Sequence, residues 1–285
     1  MSRDSGNQTH RNGRLRLARR EIRRHGPGNI VKVCWKQWRT ERELARRGIV
    51  FRSSDPLAVR AAYSAMSERE FQDVNGRQNW ANWRTIPSAL SGLLPDRPLF
   101  VIDLGCGAGD STRVLACCAP AGSRILGYEV AEPLLEIARC RSFSNRHGEP
   151  ISVDFRNQPI TETFREPNGE RLPPGCVDLV NASGVVGQHL DRESAQRLAL
   201  EVRRVLKSDG LAVLDAGPSL PPRALTAVMR EAGFRRVRYR RSSLFDLTGQ
   251  VVFRPDSAMI PVESLVSRSR AAAQRVLEPL FARNT

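Results

Sequence analysis

Lysine and histidine are scarce in this sequence, and no residues have the spacing of metal ligands. Each of these shortages excludes some classes of protein. Only three of its 45 basic residues are lysine, so arginine carries almost all of the positive charge. The four histidines and six cysteines show no C-x-x-C pair and no spacing typical of a metal site. We therefore expect neither a bound metal nor a disulfide bond.

Long apolar runs are also missing. No stretch approaches the roughly 18 apolar residues that a membrane-spanning helix needs. The N-terminus is basic but lacks the apolar core of a secretory signal. These two features predict a cytoplasmic protein without a membrane span, and a chain of 285 residues is long enough to bury a full-sized core.

The positive charge is concentrated at one end. Residues 1–60 hold sixteen Lys and Arg against five Asp and Glu, a net of +11, whereas the other 225 residues hold 29 against 25, a net of +4. Such an excess attracts phosphate backbones or an anionic membrane. It is equally consistent with a composition skewed towards arginine throughout, and the sequence contains no named nucleic-acid-binding motif. Both interpretations stay open.

Turn residues and helix-capping patterns divide the chain into segments. Asp55-Pro56 and the capping-box spacing of Ser67 and Glu70 each predict the start of a helix. Further helices are expected from near Thr40 and from Pro87. We predict four segments: a basic disordered arm (1–29), a helical lobe (30–95), a sheet domain (96–255) and a helical tail (256–285).

Apolar runs of strand length alternate with helical patterns through the sheet domain. This alternation is typical of a mostly parallel sheet with helices on both faces, an α/β, Rossmann-like doubly wound fold. Seven strands are expected, at 99–104, 124–129, 151–156, 177–182, 211–215, 237–241 and 250–253. A turn at 207–210 is expected to precede the fifth strand.

The first strand runs directly into three alternate glycines: Gly105, Gly107 and Gly109. Glycines at this spacing let the backbone turn sharply and lie close to a ligand. A nucleotide diphosphate prefers a positive helix terminus, but Asp103 and Asp110 flank this loop and would repel it. A positively charged nucleoside without phosphate suits the loop better.

Four motifs in order carry a resemblance to class I S-adenosylmethionine-dependent methyltransferases. They are V-I-D-L-G-C-G-A-G-D at 101–110, G-Y-E-V at 127–130, C-V-D-L-V at 176–180 and V-L-K-S-D-G-L at 205–211. The resemblance covers about residues 97–255. It implies S-adenosyl-L-methionine as the cofactor and Glu129 as the acceptor of hydrogen bonds from both ribose hydroxyls.

The resemblance weakens after the third strand, where the family usually has an acidic residue that binds the adenine amine. This chain has Asn157 and Gln158, whose amide oxygens are alternative acceptors, or else polar loop residues without that role. The residues predicted to bind the cofactor are Asp103, Gly105, Cys106, Gly107, Gly109, Asp110, Glu129, Asn157, Gln158, Asn181 and Arg84.

Acceptor contacts are expected from the carboxyl ends of the fourth and fifth strands and from the lobe. His189 is the candidate catalytic residue, a general base for the acceptor proton; alternatively it orients the following helix. Arg84 and a neighbouring indole are interpreted as a lid, or else as a surface charge and ordinary core. The residues nominated on the acceptor side are Asn181, Ser183, His189, Asp215, Tyr63, Asn79, Asn82, Trp83 and Arg84.

These features predict an enzyme that transfers methyl by in-line displacement, most simply to a small molecule. One alternative is an RNA or protein acceptor docked through the arginine-rich N-terminus. It is weakened because the chain has no N/D-P-P-Y/F motif after strand four and no catalytic cysteine motif of RNA cytosine enzymes. Another is a non-catalytic cofactor-binding module, against which the intact glycine loop and Glu129 argue. The sequence specifies neither the acceptor nor the oligomeric state.

Overall fold

The computed structural model describes residues 22–241 and 249–256. The predicted helical tail, apart from its first residue, and most of the predicted basic arm lie outside these residues. Within the described part, none of the helices is both long and apolar enough to cross a lipid bilayer.

In the described part of the chain, a helical turn at residues 22–25 and three longer helices precede the sheet: α1 (Pro27–Arg46), α2 (Pro56–Ser64) and α3 (Glu68–Leu90). The side chain of Asp55 accepts a hydrogen bond from the backbone N–H of Leu57 at 3.0 Å, which caps α2. Ser67 and Glu70 form the expected capping box at the start of α3. Each cap satisfies N–H groups that a helix start leaves without partners, which stabilises a helix by about 1 kcal/mol.

Two helix boundaries differ from the sequence prediction. Helix α1 begins at Pro27 rather than near Thr40, so the predicted disordered arm ends earlier than residue 29. Proline is well suited to a first helical position, and the helix is held because Thr40 and Leu44 are buried in the lobe. Pro87 does not open a new helix; α3 continues through it, because neighbouring Ile86 is fully buried against the sheet.

The sheet has seven strands in the order β3-β2-β1-β4-β5-β7-β6, as the prediction of a doubly wound α/β fold requires. The strands are β1 (Phe100–Leu104), β2 (Arg124–Glu129), β3 (Ser152–Asn157), β4 (Val177–Ala182), β5 (Leu206–Ala216), β6 (Phe234–Arg241) and β7 (Gly249–Pro255). The connecting helices are α4 (Asp110–Cys118), α5 (Glu132–Arg139), α6 (Val186–His189), α7 (Arg192–Val205) and α8 (Pro222–Glu231). The first five strands are parallel, and β7 is antiparallel to both β5 and β6.

Two apolar layers cover the two faces of the sheet. On one face Ile102 and Leu104 of β1 belong to a core with α7 and α8. On the other face Val101 packs in a core that includes α4 and the C-terminal part of α3. The N-terminal part of α3 instead belongs to the core of the lobe through Val74. Helix α3 therefore ties the lobe to the sheet, and its middle lies over the carboxyl end of β1.

The turn predicted at 207–210 is a bulge inside β5. Val177 pairs with Leu206 and Leu179 pairs with Leu211, so four residues of β5 stand opposite Asp178 alone. The ammonium of Lys207 donates to the Asp178 carboxylate at 2.9 Å across this bulge. The strand therefore begins earlier than its apolar pattern indicated.

Candidate functional site

A cavity with about 1000 Å³ of empty space lies at the carboxyl ends of β1, β2 and β4. In a doubly wound sheet this is where the strand order reverses and where ligands bind. Its wall comes from the loops after these strands, from the loop after β3, from the start of α2 and from one face of α3. The lining residues of the sheet domain include Gly105, Cys106, Gly107, Asp110, Ser111, Glu129, Ser183, Gly184, Val185 and His189.

The loop after β1 depends on glycine at two lining positions. Gly105 and Gly107 have φ values of +63° and +54°, a region that residues with a Cβ disfavour. A Cβ on Gly105 would lie 2.2 Å from a methyl of Val185, and one on Gly107 would lie 2.7 Å from the ring of Phe71. The glycines therefore bring the main chain against the cavity. Gly109, with φ +88°, makes the turn into α4 and is not part of the lining.

Glu129 ends β2 and is held by the backbone. Its carboxylate accepts hydrogen bonds from the N–H groups of Gly107 at 3.1 Å, Val130 at 2.8 Å and Ala131 at 3.0 Å. Burial raises the pKa of this carboxyl, and the three N–H bonds oppose that rise. A carboxylate oxygen accepts more than one hydrogen bond, so a fixed carboxylate remains able to receive ligand hydroxyls.

Asp103 and Asn181 lie behind the loop rather than in the cavity wall. The Asp103 carboxylate accepts from the hydroxyls of Ser111 and Thr112, both at 2.7 Å, and from the Asn181 amide at 2.8 Å. Both side chains are fully buried, and the Asn181 Oδ1 atom has no hydrogen-bond partner among the described residues. The sequence predicts that both residues contact the cofactor. In the structure they instead bond to each other and join the ends of β1 and β4.

The charges that line the cavity are acidic. Asp110 and Glu129 line it, whereas no Lys or Arg is among the described lining residues. Asp110 is also bonded to Arg141 at 2.7 Å. A negatively charged wall favours a cation and disfavours a diphosphate. These residues fit a sulfonium- and ammonium-bearing nucleoside.

Asn157 and Gln158 are not in the cavity wall, contrary to the sequence prediction. The Asn157 amide donates to the carbonyls of Glu129 and Val130 at 3.2 and 3.0 Å. The Gln158 oxygen accepts from Arg156 at 2.9 Å, and its amide donates to the Thr163 carbonyl at 2.9 Å. Both amides are used in shaping the loop after β3. The residues of this loop that face the cavity are Pro159, Ile160 and Thr161.

One face of α3 covers the cavity, and its tryptophans do not take part. Trp80 stacks on His25 with ring centres 4.2 Å apart, and Trp83 is 39% exposed on another face. Arg84, the predicted partner of the cofactor carboxylate, also lies outside the cavity lining. The side chains of α3 that face the cavity recur at helical spacing: Phe71, Asn75, Gln78, Asn79 and Asn82. Trp80, Trp83 and Arg84 are therefore not among the residues that line this cavity.

Tyr63 and His189 meet at the cavity wall. His189 Nδ1 lies 3.1 Å from the carbonyl oxygen of Ser53, and Nε2 lies 3.4 Å from the hydroxyl of Tyr63. A carbonyl only accepts, so Nδ1 carries the proton and the Nε2 lone pair faces Tyr63. Burial lowers the pKa of His189, and burial together with the charge of Glu129 raises that of Tyr63. A neutral imidazole therefore presents a basic nitrogen to the cavity.

Asp215 positions the turn that carries His189. Its carboxylate accepts from the N–H groups of Val185, Val186 and Gly187 at 3.1, 3.0 and 2.9 Å, which caps the short helix α6. Asp215 is buried and outside the cavity lining. Asp215 therefore forms this turn and does not line the acceptor side as the sequence predicted. Burial raises its pKa to about 6.

Sequence reasoning found some of the lining and missed the rest. The residues that it predicted and that line the cavity are Gly105, Cys106, Gly107, Asp110, Glu129, Ser183, His189, Tyr63, Asn79 and Asn82. It missed Phe71, Asn75 and Gln78, although their spacing places them on the helix face shared by Asn79 and Asn82. In the described part of the chain, no group of three or more His, Cys, Asp and Glu is arranged to hold a metal.

Comparisons with known proteins agree with this geometry. Residues 101–210 match the model of a family described as a methyltransferase domain. A methyltransferase from Leishmania major has a similar fold, with a TM-score of 0.53 at 14% identity over 67% of this chain and 80% of that one. Magnesium protoporphyrin IX methyltransferase from Synechocystis gives a TM-score of 0.49 at 14% identity over 70% and 99% of the two chains. A search of curated proteins finds no match.

The segment that matches the methyltransferase-domain family contains both the glycine loop and Glu129. Residues 101–210 are therefore similar to a methyltransferase domain, and the sheet has the fold of the Leishmania major methyltransferase.

Proposed function

We propose that the protein methylates a small molecule, with S-adenosylmethionine bound in the cavity at the ends of β1 and β2. The observation that carries this proposal is the covered cavity itself, whose charged lining residues are Asp110 and Glu129. When bound, the cofactor supplies an electrophilic methyl group. The protein supplies the fixed carboxylate of Glu129 for the ribose and the acidic surface of Asp110 for the positive charge.

Alignment is the main contribution expected from the protein. Holding a nucleophile in line with the methyl group contributes roughly 7–11 kcal/mol to lowering the barrier. Helices α2 and α3 line this cavity and also a neighbouring one, so an acceptor that reaches the methyl group between them has few orientations. This enclosure supports a small acceptor over RNA or a protein.

Binding tests the cofactor assignment. Calorimetry should show S-adenosylhomocysteine binding with micromolar-scale affinity and no binding of NAD at the same concentration. Binding of NAD with similar affinity would overturn the assignment of the loop.

Transfer of labelled methyl groups into fractionated cell extract tests the acceptor class. Label in the fraction below 3 kDa supports the proposal, whereas label confined to RNA or protein would replace it with the alternative acceptors. The cytoplasmic location expected from the sequence is likewise a proposal, and cell fractionation tests it.

A further inference from the structure

A second cavity lies on the other side of Tyr63 and His189 from the cofactor cavity. It has about 880 Å³ of empty space and lies between α1, α3 and the turns that follow β4 and β5. Five lining residues are common to both cavities: Tyr63, Asn75, Gln78, Gly184 and His189. The two cavities therefore adjoin each other at these five residues.

The second cavity has a different lining. Its charged residues are Glu41, Arg52 and Arg77, a net of +1, against −2 from Asp110 and Glu129 in the first cavity. Arg52 is bonded to Glu41 at 2.7 Å, and Arg77 donates to the Gln37 amide oxygen at 2.6 Å. Charges paired in this way do not favour a polyanion. They suit a polar molecule that carries at most one negative charge.

Resting on the proposed function, we propose that the acceptor binds in this second cavity and is a polar small molecule whose nucleophile is a hydroxyl group. His189 Nε2, at the shared wall, takes the hydroxyl proton. Tyr63, whose hydroxyl lies 3.4 Å from Nε2, is displaced from that nitrogen by the acceptor hydroxyl and orients it.

The step balances without a further reactant. The acceptor oxygen forms a bond to the methyl carbon while the carbon–sulfur bond breaks and its electron pair stays on sulfur. The hydroxyl proton moves to Nε2 of His189, which becomes an imidazolium as the sulfonium charge disappears. Nδ1 keeps its proton and its bond to the Ser53 carbonyl, so the ring does not need to turn.

Several titratable or charged groups surround His189. Tyr63 of α2 contacts it, Glu129 lies beyond Tyr63 at the end of β2, and Glu41, Arg52 and Arg77 line the same cavity. Tyr63 stays protonated at neutral pH because burial raises its pKa. Asp215, whose carboxylate binds the backbone of the His189 turn, has its pKa raised to about 6 by burial. The rate should fall about tenfold per pH unit below the pKa of the His189 imidazole, and this fall should persist in Asp215→Asn, which removes the other titration.

The first test determines the tautomer and protonation state of the His189 imidazole in the absence of an acceptor. Nitrogen-15 NMR of histidine-labelled protein should show His189 as the neutral Nδ1–H tautomer at pH 7, with Nε2 unprotonated. Tyr63→Phe should move the Nε2 resonance and leave Nδ1 unchanged. An Nε2–H tautomer, or an imidazolium at pH 7, would overturn the assignment of the base.

The second test measures methyl transfer into the fraction of cell extract below 3 kDa. His189→Asn keeps a donor for the Ser53 carbonyl but has no basic nitrogen. It should lower the rate about 10²- to 10⁴-fold and remove the pH dependence, while S-adenosylhomocysteine affinity stays within about threefold. The matched control is His147→Asn, at an exposed position, which should leave the rate unchanged. An unchanged rate in His189→Asn would reject the base.

The third test locates the acceptor. Gln188 lines only the second cavity, so Gln188→Ala should raise KM about tenfold with kcat and S-adenosylhomocysteine affinity unchanged. Gln196→Ala, on the surface of α7, is its control. An unchanged KM in Gln188→Ala would place the acceptor elsewhere. If wild-type protein fails to bind S-adenosylhomocysteine, the proposed function itself is wrong. That outcome is distinguishable from a failure of the base or of the acceptor site, because this binding is measured without an acceptor.

Discussion

The two halves of the site are built differently. The cofactor half, made by the loop after β1 and the end of β2, is a main-chain structure in which two lining glycines and one carboxylate set the shape. The proposed acceptor half, made by the turn after β4 and by the lobe, consists of side chains from segments more than 100 residues apart, such as Tyr63 and His189. Main-chain geometry leaves a local signature in the sequence, whereas an assembly of distant side chains does not.

The largest expected effect is in the cofactor half. Gly107→Arg should weaken S-adenosylhomocysteine binding at least about 100-fold, because the new side chain starts 2.7 Å from the Phe71 ring and fills the cavity. Gly148→Arg is the matched control, since Gly148 also has a positive φ but has nothing within 4 Å of its added Cβ. Equal binding by wild type and Gly107→Arg in calorimetry would show that the glycine loop does not set the shape of the cofactor half.

The carboxylate of the cofactor half should matter nearly as much. Glu129→Gln places an amide N–H₂ against backbone N–H donors, and losing a charged hydrogen bond costs about 1.5–3 kcal/mol. We expect S-adenosylhomocysteine affinity to fall about 10- to 100-fold in calorimetry. Glu132→Gln, which changes an exposed carboxylate one turn along the chain, should change the affinity less than twofold.

In the acceptor half, Asp215 gives a prediction that depends on pH. Its pKa of about 6 in the folded protein exceeds the ordinary 3.8, so the folded state binds this proton more tightly than the unfolded state. The stability it contributes is therefore present at low pH and is lost as pH rises to about 6. In urea unfolding, the free energy of unfolding of wild type minus that of Asp215→Asn should increase as pH is lowered from about 6 to about 4. The increase should be about 1.4 kcal/mol for each pH unit.

The control for this series is Asp209→Asn, at an exposed position in the bulge of β5. Its difference from wild type should stay within about 0.5 kcal/mol and should not vary with pH. If the difference in free energy of unfolding between wild type and Asp215→Asn does not vary with pH, the Asp215 carboxyl is not held at a raised pKa in the folded protein.

The smallest effect is expected in the lobe. Ser67→Ala removes one side of the capping box at the start of α3 and should lower the free energy of unfolding by about 1 kcal/mol. Cofactor affinity should change less than twofold, because this end of α3 lies in the lobe core. A large loss of cofactor affinity would show that the lobe and the cofactor half are more tightly linked than the comparison implies.

The sheet domain could be predicted from the sequence in detail. Glycine turns and apolar strands act locally, so the positions of most strands and the doubly wound fold followed from the pattern. The start of α1 and the continuity of α3 could not be predicted, because packing against other elements decides both. At Pro87, burial of the neighbouring Ile86 outweighs the loss of one helix hydrogen bond.

The same distinction applies to the site. The sequence located Gly105, Gly107 and Glu129 in the wall, since their positions follow from the turn after a strand. It misplaced Gln158 and Arg84 because polar residues near a ligand-binding edge have other partners to choose from, such as the Thr163 carbonyl that Gln158 binds. Which polar side chain faces a ligand depends on which other hydrogen-bond partners the fold brings near it. Those partners are known only from the structure.

The turn that carries His189 is fixed by a close backbone contact and by one buried carboxylate. A Cβ on Gly187 would lie 2.1 Å from the backbone nitrogen of Gly217, and the carboxylate of Asp215 binds three successive N–H groups of the same turn. The turn therefore stays in place when side chains that line the second cavity are exchanged. Gln188 and Asn75 are such side chains, so substitutions there are a suitable way to redirect the proposed acceptor specificity without moving His189.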